Sequence, residues 1–416
     1  MRLRHNVAWM MAGQGVYALC QWGKLIALAR LGGPEVVGTF ALALAIAAPI
    51  MLFGGLQMRQ VLVADALGRF AFETYRTVRI YSIGLAWLVV VAVVVFLGYR
   101  GTVAAVILGV GVARAFESVS DLYYGLEQRH QRLDLVAQSM MLRGALTLAV
   151  LILVFAWTRD LALGALAMAL TSGAVWLFFD RWAVKPWRQA AQPDPKKSDW
   201  AQLWLLAGLG LPLGVTLLLT SLNVNLPRYL IENHLGKEEL GLFAAMAYFV
   251  TAGQMVVSAL CQPASPRLAN VFAQGNFRAL RKLLLQVVAA CALLGIVGVA
   301  VALLLGDQLL GILYGEAFAG RGDVFVWIML TGLIIYIAIP FGYALTAMQK
   351  FRIQPLLFGG VLIVNGVAGY LLIQSYGIVG AVWGWLLASL CQALLTAAVC
   401  WWSVRAGEAA SLPQTG

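Results

Sequence analysis

Polar residues arrive along this chain in short bursts, and between the bursts run long stretches rich in Leu, Val, Ala, Ile and Phe. A helix needs roughly 20 mainly apolar residues to cross a bilayer. Twelve stretches meet that requirement, at about 8–30, 36–62, 78–99, 102–126, 136–157, 161–182, 201–229, 240–262, 283–305, 324–347, 355–375 and 380–402. The pattern predicts an all-α polytopic membrane protein. The connections are short, and the longest on one side, about 306–323, leaves no room for a folded catalytic domain. The polar, Pro-rich run Ala183–Asp199 follows the sixth stretch and reads as a linker between halves. The division expected is an N-terminal six-helix bundle at 1–190, a cytoplasmic linker at 191–199, a C-terminal six-helix bundle at 200–405 and a disordered cytoplasmic tail at 406–416.

The basic residues test that count. With the N-terminus inside, 21 of the 29 Lys and Arg fall in inside loops and helix ends, and Arg59, Arg79 and Arg143 are counted among them. Six fall outside (Arg30, Arg100, Arg159, Arg228, Lys237 and Arg321), and Lys24 and Arg114 lie within spans. The positive-inside rule therefore supports twelve spans with both termini cytoplasmic. The opening Met-Arg-Leu-Arg-His-Asn resembles a signal-peptide start, but the apolar run after it is too long and lacks a clean cleavage site, so it reads as a retained first span. Two inside segments, 64–79 and 264–282, are amphipathic enough to lie along the membrane surface. There Phe70, Phe72 and Tyr75, and Leu268, Val271, Phe272 and Phe277, would face the acyl boundary.

One apolar run breaks its own rule. Residues 103–132 place Arg114, Glu117 and Asp121 inside a helix at spacings of three and four, so all three share one face. Ser118, Tyr124, Gly125 and Gln128 extend the stripe. One charge near a helix centre costs ~2.5–3.5 kcal/mol on insertion scales, so three would cost roughly 8–10. That rivals a typical folding stability of ~5–15 kcal/mol. The stripe must face a polar cavity or polar partners, either as a substrate or ion pathway or as an Arg114–Glu117 pair that locks helices together.

The halves look related. Leu31-Gly32-Gly33-Pro34-Glu35-Val36-Val37-Gly38-Thr39-Phe40-Ala41 and Leu235-Gly236-Lys237-Glu238-Glu239-Leu240-Gly241-Leu242-Phe243-Ala244 share Leu-Gly, then Glu-x-x-Gly-x-Phe-Ala with one residue inserted. Six spans separate them, which makes the repeat parallel, about an axis along the membrane normal. Lys24 stands eight residues before Gly32, and Arg228 eight before Gly236; three residues earlier stand Gln21 and Asn225. Each first helix thus carries an amide and then a cation. The expectation is two six-helix bundles around a central cationic cavity, with Lys24 and Arg228 facing each other across it. Arg228 could equally snorkel at its helix end. Asn223 joins Gln21, Asn225 and Tyr124 as candidate cavity polar groups, and Asn365 reads as a helix bridge. Pro49 with Gly54-Gly55, Pro212, Pro227 and Pro340 can kink or hinge spans.

Composition agrees. The chain is 62% hydrophobic and 11% charged against about 25% charged in soluble domains, with a mean hydropathy of +0.86. Its net charge of +11 would suggest nucleic acid, but the placement of the charges points to topology, and no nucleic-acid partner is expected. The five cysteines sit in apolar segments as packing residues, and the three histidines lie far apart, so no metal site is expected. There is no Gly-x-x-x-x-Gly-Lys-[Ser/Thr] loop, no Cys-x-x-Cys and no Gly-x-Ser-x-Gly. The terminal Leu412-Pro413-Gln414-Thr415-Gly416 matches a sortase pentapeptide without the apolar span and basic tail that should follow.

The block Glu117-Ser-Val-Ser-Asp121-Leu-Tyr-Tyr-Gly125-Leu-Glu-Gln-Arg-His-Gln-Arg132-Leu-Asp134 resembles the fourth-helix region of bacterial polysaccharide-biosynthesis flippases, the O-antigen and capsule-unit exporters of the MOP superfamily. Gln21-Trp22, Leu31-Gly32-Gly33-Pro34-Glu35 with Gly38, and the segment Asp65 to Arg79 are similar as well. The likeness covers residues 6–145 most clearly. It implies a MOP-type fold that moves an undecaprenyl-diphosphate-linked oligosaccharide between leaflets by alternating access, in a bacterial inner membrane, beside a polysaccharide polymerase and glycosyltransferases. Many relatives have fourteen spans, where twelve are predicted here. The resemblance assigns no functional residues; those rest on chemistry. Lys24, Arg59, Arg114 and Arg228 suit a diphosphate and repel organic cations. Glu117 and Asp121 are the candidate acids for coupling to a proton or sodium ion, with no cofactor and no catalytic residue. The protonation state of Glu117 beside Arg114 stays open. A multidrug exporter of the same fold, a membrane polymerase or ligase, and a scaffold of an assembly complex are the alternatives.

Overall fold

The computed structural model describes residues 2–65, 67–190, 199–350 and 353–411. Most of the expected linker and the final pentapeptide lie outside these residues. In chain order the α-helices are α1 (Arg2–Gly54), α2 (Met58–Ala64), α3 (Phe72–Phe96), α4 (Gly101–Arg129), α5 (Leu133–Thr158), α6 (Leu161–Ala174), α7 (Arg181–Ala183), α8 (Lys185–Ala190), α9 (Trp200–Ala273), α10 (Phe277–Tyr314), α11 (Gly322–Ala347) and α12 (Gln354–Ser411). A π-helical turn, Val175–Asp180, joins α6 to α7, and a 3-10 turn, Glu316–Phe318, precedes α11. No strand occurs among the described residues. Residues 406–411, expected as the start of a tail, continue α12.

Nine helical stretches among the described residues are long and apolar enough to cross a membrane. Three of them run to 57, 74 and 52 residues, and each is broken internally by a glycine. Gly33 (φ 75°, ψ −174°) breaks the first, Gly236 (φ 87°, ψ −175°) the second and Gly377 (φ 58°, ψ −136°) the third. Positive φ with ψ near 180° is territory that only glycine enters cheaply. Each side of every break still exceeds roughly 20 residues, so length leaves room for twelve crossings. Gly33 and Gly236 are the two turns paired by sequence, and their backbones agree within 12° in φ and 1° in ψ.

The chain forms two compact units, Met1–Ser221 and Leu222–Gly416. The division falls inside α9 rather than at 191–199. The reason is packing: Leu203 and Leu206 of early α9 join a core with Leu56, Met58, Leu62, Phe72, Tyr75, Tyr123 and Val184. A Cβ on Gly210 would collide with the Leu56 carbonyl oxygen, so the contact is backbone to backbone. Outward faces such as those of Leu85, Leu88, Phe96, Leu303 and Leu304 are exposed and apolar, as lipid requires.

In both amphipathic segments the apolar face packs inward on protein. Phe72 and Tyr75 are buried in the first unit's core, with Phe70 packed on it. The backbone N–H groups of Arg69 and Phe70 and the Tyr75 hydroxyl all donate to Asp65, at 3.0, 3.3 and 3.1 Å, which curls the segment inward. In the second unit α9 runs on to Ala273, and Leu268 and Phe277 are buried with Leu280, Leu345 and Val404. Periodicity found an apolar face in both places; protein covers it, not acyl chains. Arg79 and Arg143, counted as loop cations from sequence, are each only 2% exposed inside α3 and α5.

Candidate functional site

The first unit builds a polar layer around α4. The chain leaves α1 at Gly54, passes through Leu56 and Gln57 at positive φ (46° and 49°), and restarts as α2, with Arg59 as its second residue. Gly125 of α4 lets α2 close in, since a Cβ there would stand 3.2 Å from Arg59 Cγ. Arg59 then donates from Nη1 to Asp121 Oδ1 at 3.0 Å and from Nε and Nη2 to Gln128 Oε1 at 3.2 and 3.0 Å. Its guanidinium stands 5.8 Å from the Tyr124 ring centre, within cation–π range. From α3, Arg79 reaches the other carboxylate oxygen of Asp121 at 3.5 Å and Ser118 Oγ at 2.9 Å. Gly55 makes room for it, because a Cβ there would meet Arg79 Nη1 at 2.6 Å. Asp121 sits between two arginines and is still 40% exposed.

One turn earlier, Arg114 donates to Glu117 at 2.8 Å. The other Glu117 oxygen accepts from the Tyr17 hydroxyl at 3.0 Å; Gln21 donates to Tyr17 at 2.7 Å, and Lys24 donates to Gln21 at 2.8 Å. A continuous chain of hydrogen bonds therefore joins Lys24 of α1 to Arg114 of α4. Lys24 is 1% exposed, whereas Arg114 and Glu117 remain partly open. Arg59, Arg79, Arg114 and Lys24 stand against Glu117 and Asp121, so the layer is formally cationic. Such a surface supplies several charge-assisted donors to an anion with many oxygens.

Behind it lies a sealed layer that sequence reasoning missed. Arg143 of α5 pairs with Asp180 at 2.8 Å and donates to Ser120; Ser139 donates to Asp180 and also meets the Tyr124 hydroxyl at 2.7 Å. Tyr124, expected in the cavity, thus spends its hydroxyl inside the unit. Asp180 ends the π-helical turn, the only element of that kind among the described residues. Glu127 is fully buried, and neither of its carboxyl oxygens has a hydrogen-bond partner among the described residues. A usable signal was present: Asp180 closes an apolar run and Arg143 lies within another, and charges so placed need each other.

In the second unit, Arg228 donates to Asn225 at 2.8 Å, the same cation-to-amide step over three residues that Lys24 makes to Gln21. Asn223 donates to the Phe358 carbonyl at 3.0 Å and Asn365 to the Asn223 carbonyl at 2.9 Å. Asn365 is the helix bridge expected, and the Asn223 amide group is used in the same bridge. Of the ten sequence-selected residues, the fold brings Lys24, Gln21, Arg59, Arg114, Glu117, Asp121 and Tyr124 together in one unit. Asn223, Asn225 and Arg228 belong to the other.

Residues 3–272 match the polysaccharide biosynthesis protein family. The capsular polysaccharide biosynthesis protein CapF of Staphylococcus aureus is 26% identical over 378 residues, covering 90% of this chain and 93% of that one. A putative O-antigen transporter of Shigella flexneri is 25% identical over 184 residues, 44% of this chain and 43% of its own. Among solved structures, an inward-facing multidrug resistance MATE family transporter of the MOP superfamily aligns with a TM-score of 0.73 at 13% identity, over 97% of this chain and all of that one. An outward-facing MATE transporter aligns with a TM-score of 0.67 at 15% identity, over 99% and 96%.

Proposed function

The chain belongs to the polysaccharide biosynthesis protein family, is a multi-pass membrane protein with a MOP-type transporter fold, and from that premise we propose that it exports an undecaprenyl-diphosphate-linked oligosaccharide across the cytoplasmic membrane by alternating access. The observation that carries this reading is the cationic layer around α4, open at Arg59, Arg114 and Asp121, where these two arginines with the buried Arg79 and Lys24 outnumber two carboxylates. Guanidinium forks match phosphate oxygens in geometry as well as charge. The carboxylates keep the arginines apart and oriented until an anion takes their donors. Arg228, on the matching step in the other unit, is proposed to contribute its own donors to phosphate. A lipid carrier enters from the bilayer, so the site needs no large soluble vestibule. Transport rather than chemical transformation follows from this reading, and glycosyltransferases and a polymerase would act before and after it. The termini are proposed to be cytoplasmic.

Glu117 and Asp121 remain the proposed coupling acids for a proton or sodium ion. Each already contacts cations that would bind the cargo, so a change at the acid reaches the cargo donors in one bond. A multidrug exporter for organic cations is disfavoured because the layer would repel them. The test is substitution: Lys24→Ala and Arg114→Ala proteins should insert normally and lose flipping. Retained flipping in both overturns the cationic site.

A further inference from the structure

Among the described residues two carboxyl groups are fully buried, Asp180 and Glu127, each at 0% exposure. Asp180 has a cation: Arg143 reaches it at 2.8 Å, and Ser139 donates to it as well. Glu127 has no such partner. Neither of its carboxyl oxygens accepts a hydrogen bond among the described residues. Glu117 and Asp121, on the same helix, hold Arg114 and Arg59 at 2.8 and 3.0 Å. Glu127 stands apart from all three acids.

The groups that face Glu127 do not supply what it lacks. The charges that act on it most are Asp180 of the π-helical turn, Arg59 of α2, Asp134 of α5 and Arg132 just before α5. Two of these are acids. The two cations are committed elsewhere. Arg132 grips Asp134 through three hydrogen bonds of 2.8 to 3.1 Å. Arg59 uses Nη1 on Asp121 and both Nε and Nη2 on Gln128. On the same helix, the Tyr124 hydroxyl is taken by Ser139. Leu126, the residue before Glu127, is buried in a core with Leu122, Tyr123, Val184 and Leu203. A carboxylate taken out of water without a partner is costly enough that the group takes up a proton instead.

We propose that Glu127 is a proton-binding site, a neutral carboxylic acid in this conformation that gives up its proton when α2 lifts from α4. The moving part is α2. It is seven residues long, follows Leu56 and Gln57 at positive φ, and rests on Gly125, two residues before Glu127. Opening there admits water. The carboxyl O–H bond breaks, the proton passes to that water, and the electron pair stays on the carboxylate. The new charge then draws Arg59 away from Gln128 and Asp121. Arg59 answers more readily than Arg132, because a neutral amide takes two of its donors whereas Asp134 takes Arg132 in a bidentate grip. Proton release thus loosens one of the donors assigned to phosphate. The proton site stands on burial and pairing alone; its link to transport through Arg59 rests on the cargo reading.

The test is infrared spectroscopy on the full-length protein in detergent, with and without isotope-labelled carboxyls on its glutamates. At neutral pH the wild type should show the carbonyl stretch of a protonated carboxyl, the label should shift it, and Glu127→Gln should remove it. Absence of a label-sensitive band from the wild type, or its survival in Glu127→Gln, overturns the site. If Glu127→Gln does not fold, Glu127→Asp serves, since the proton then sits on an unlabelled side chain and the label-sensitive band must vanish. On the same preparation, undecaprenyl diphosphate should bind about fivefold or more tightly at about pH 6 than at about pH 9, beyond any pH dependence that Glu127→Gln retains. Identical pH dependence in the two proteins overturns the link through Arg59. Failure of both proteins to bind this lipid at either pH contradicts the cargo reading instead, while the infrared band still decides the proton site.

Discussion

The two units share a backbone plan and differ in how they handle charge. Both break their first long helix at a glycine of nearly identical φ and ψ, and both place a cation on an amide three residues before it. The first unit then adds carboxylates inside its helices: Asp121 between Arg59 and Arg79, Glu117 on Arg114, and Asp180 on Arg143. The second unit holds no acid along most of α10 or along α11 and α12 from residue 324 to 407. A repeat therefore fixes the scaffold while the polar chemistry diverges. The first unit thus holds its cations beside carboxylates, with Arg59 and Arg114 at partly open positions and Lys24, Arg79 and Arg143 buried.

The sharpest way to break this comparison is to remove one half of the sealed pair. Arg143→Met leaves Asp180 buried without its cation and should cost about 3–5 kcal/mol, seen as a large drop in the unfolding midpoint in detergent. A midpoint near wild type would mean that the layer is not structural. Next are the paired turns: Gly33→Ala and Gly236→Ala should each cost about 1–3 kcal/mol, because both positions have open space but forbidding dihedrals. Unequal losses would show that the turns are alike in shape only. Arg321→Gln, at a 38% exposed pair with Glu239, should change stability by no more than about 1 kcal/mol. A larger loss would mean that the second unit depends on ion pairs as the first does.

The smallest effect concerns Asp65. Desolvation pushes its carboxyl up, but the N–H groups of Arg69 and Phe70 and the Tyr75 hydroxyl outweigh it and hold the group below its ordinary value of 3.8. A depressed carboxyl stabilises the fold above the unfolded value and loses that contribution as pH falls through the folded one. Asp65→Asn should therefore lower the unfolding midpoint at neutral pH, where the ionised carboxyl contributes, and flatten its fall toward acid, where wild type and variant converge. An unaltered acid limb would remove Asp65 from the account.

Much of this was legible in the sequence because lipid enforces strong rules. Long apolar runs identified the helices, and the Leu-Gly turns located the two repeated breaks. The spacing of Arg114, Glu117 and Asp121 marked the polar face before any partner was known. Partners were harder to read. Arg79 stands at the start of an apolar run and Arg143 well inside one, yet the sequence count places both with the loops, and only packing shows them drawn inward to Asp121 and Asp180. Phe72, Tyr75, Leu268 and Phe277 showed an apolar face, but periodicity does not say whether protein or lipid covers it. Glu127 carried no sequence signal beyond its neighbourhood, because its burial depends on helices distant in the chain.

The most direct measurement is the leaflet that holds complete lipid-linked oligosaccharides in cells lacking this protein, with and without wild-type chain or a chain carrying Arg59→Gln and Arg114→Ala restored. Complete units should stay on the cytoplasmic leaflet without the protein, move outward with the wild type and stay trapped with the double variant. Complete units on the outer leaflet of cells that lack the protein would contradict the export function itself.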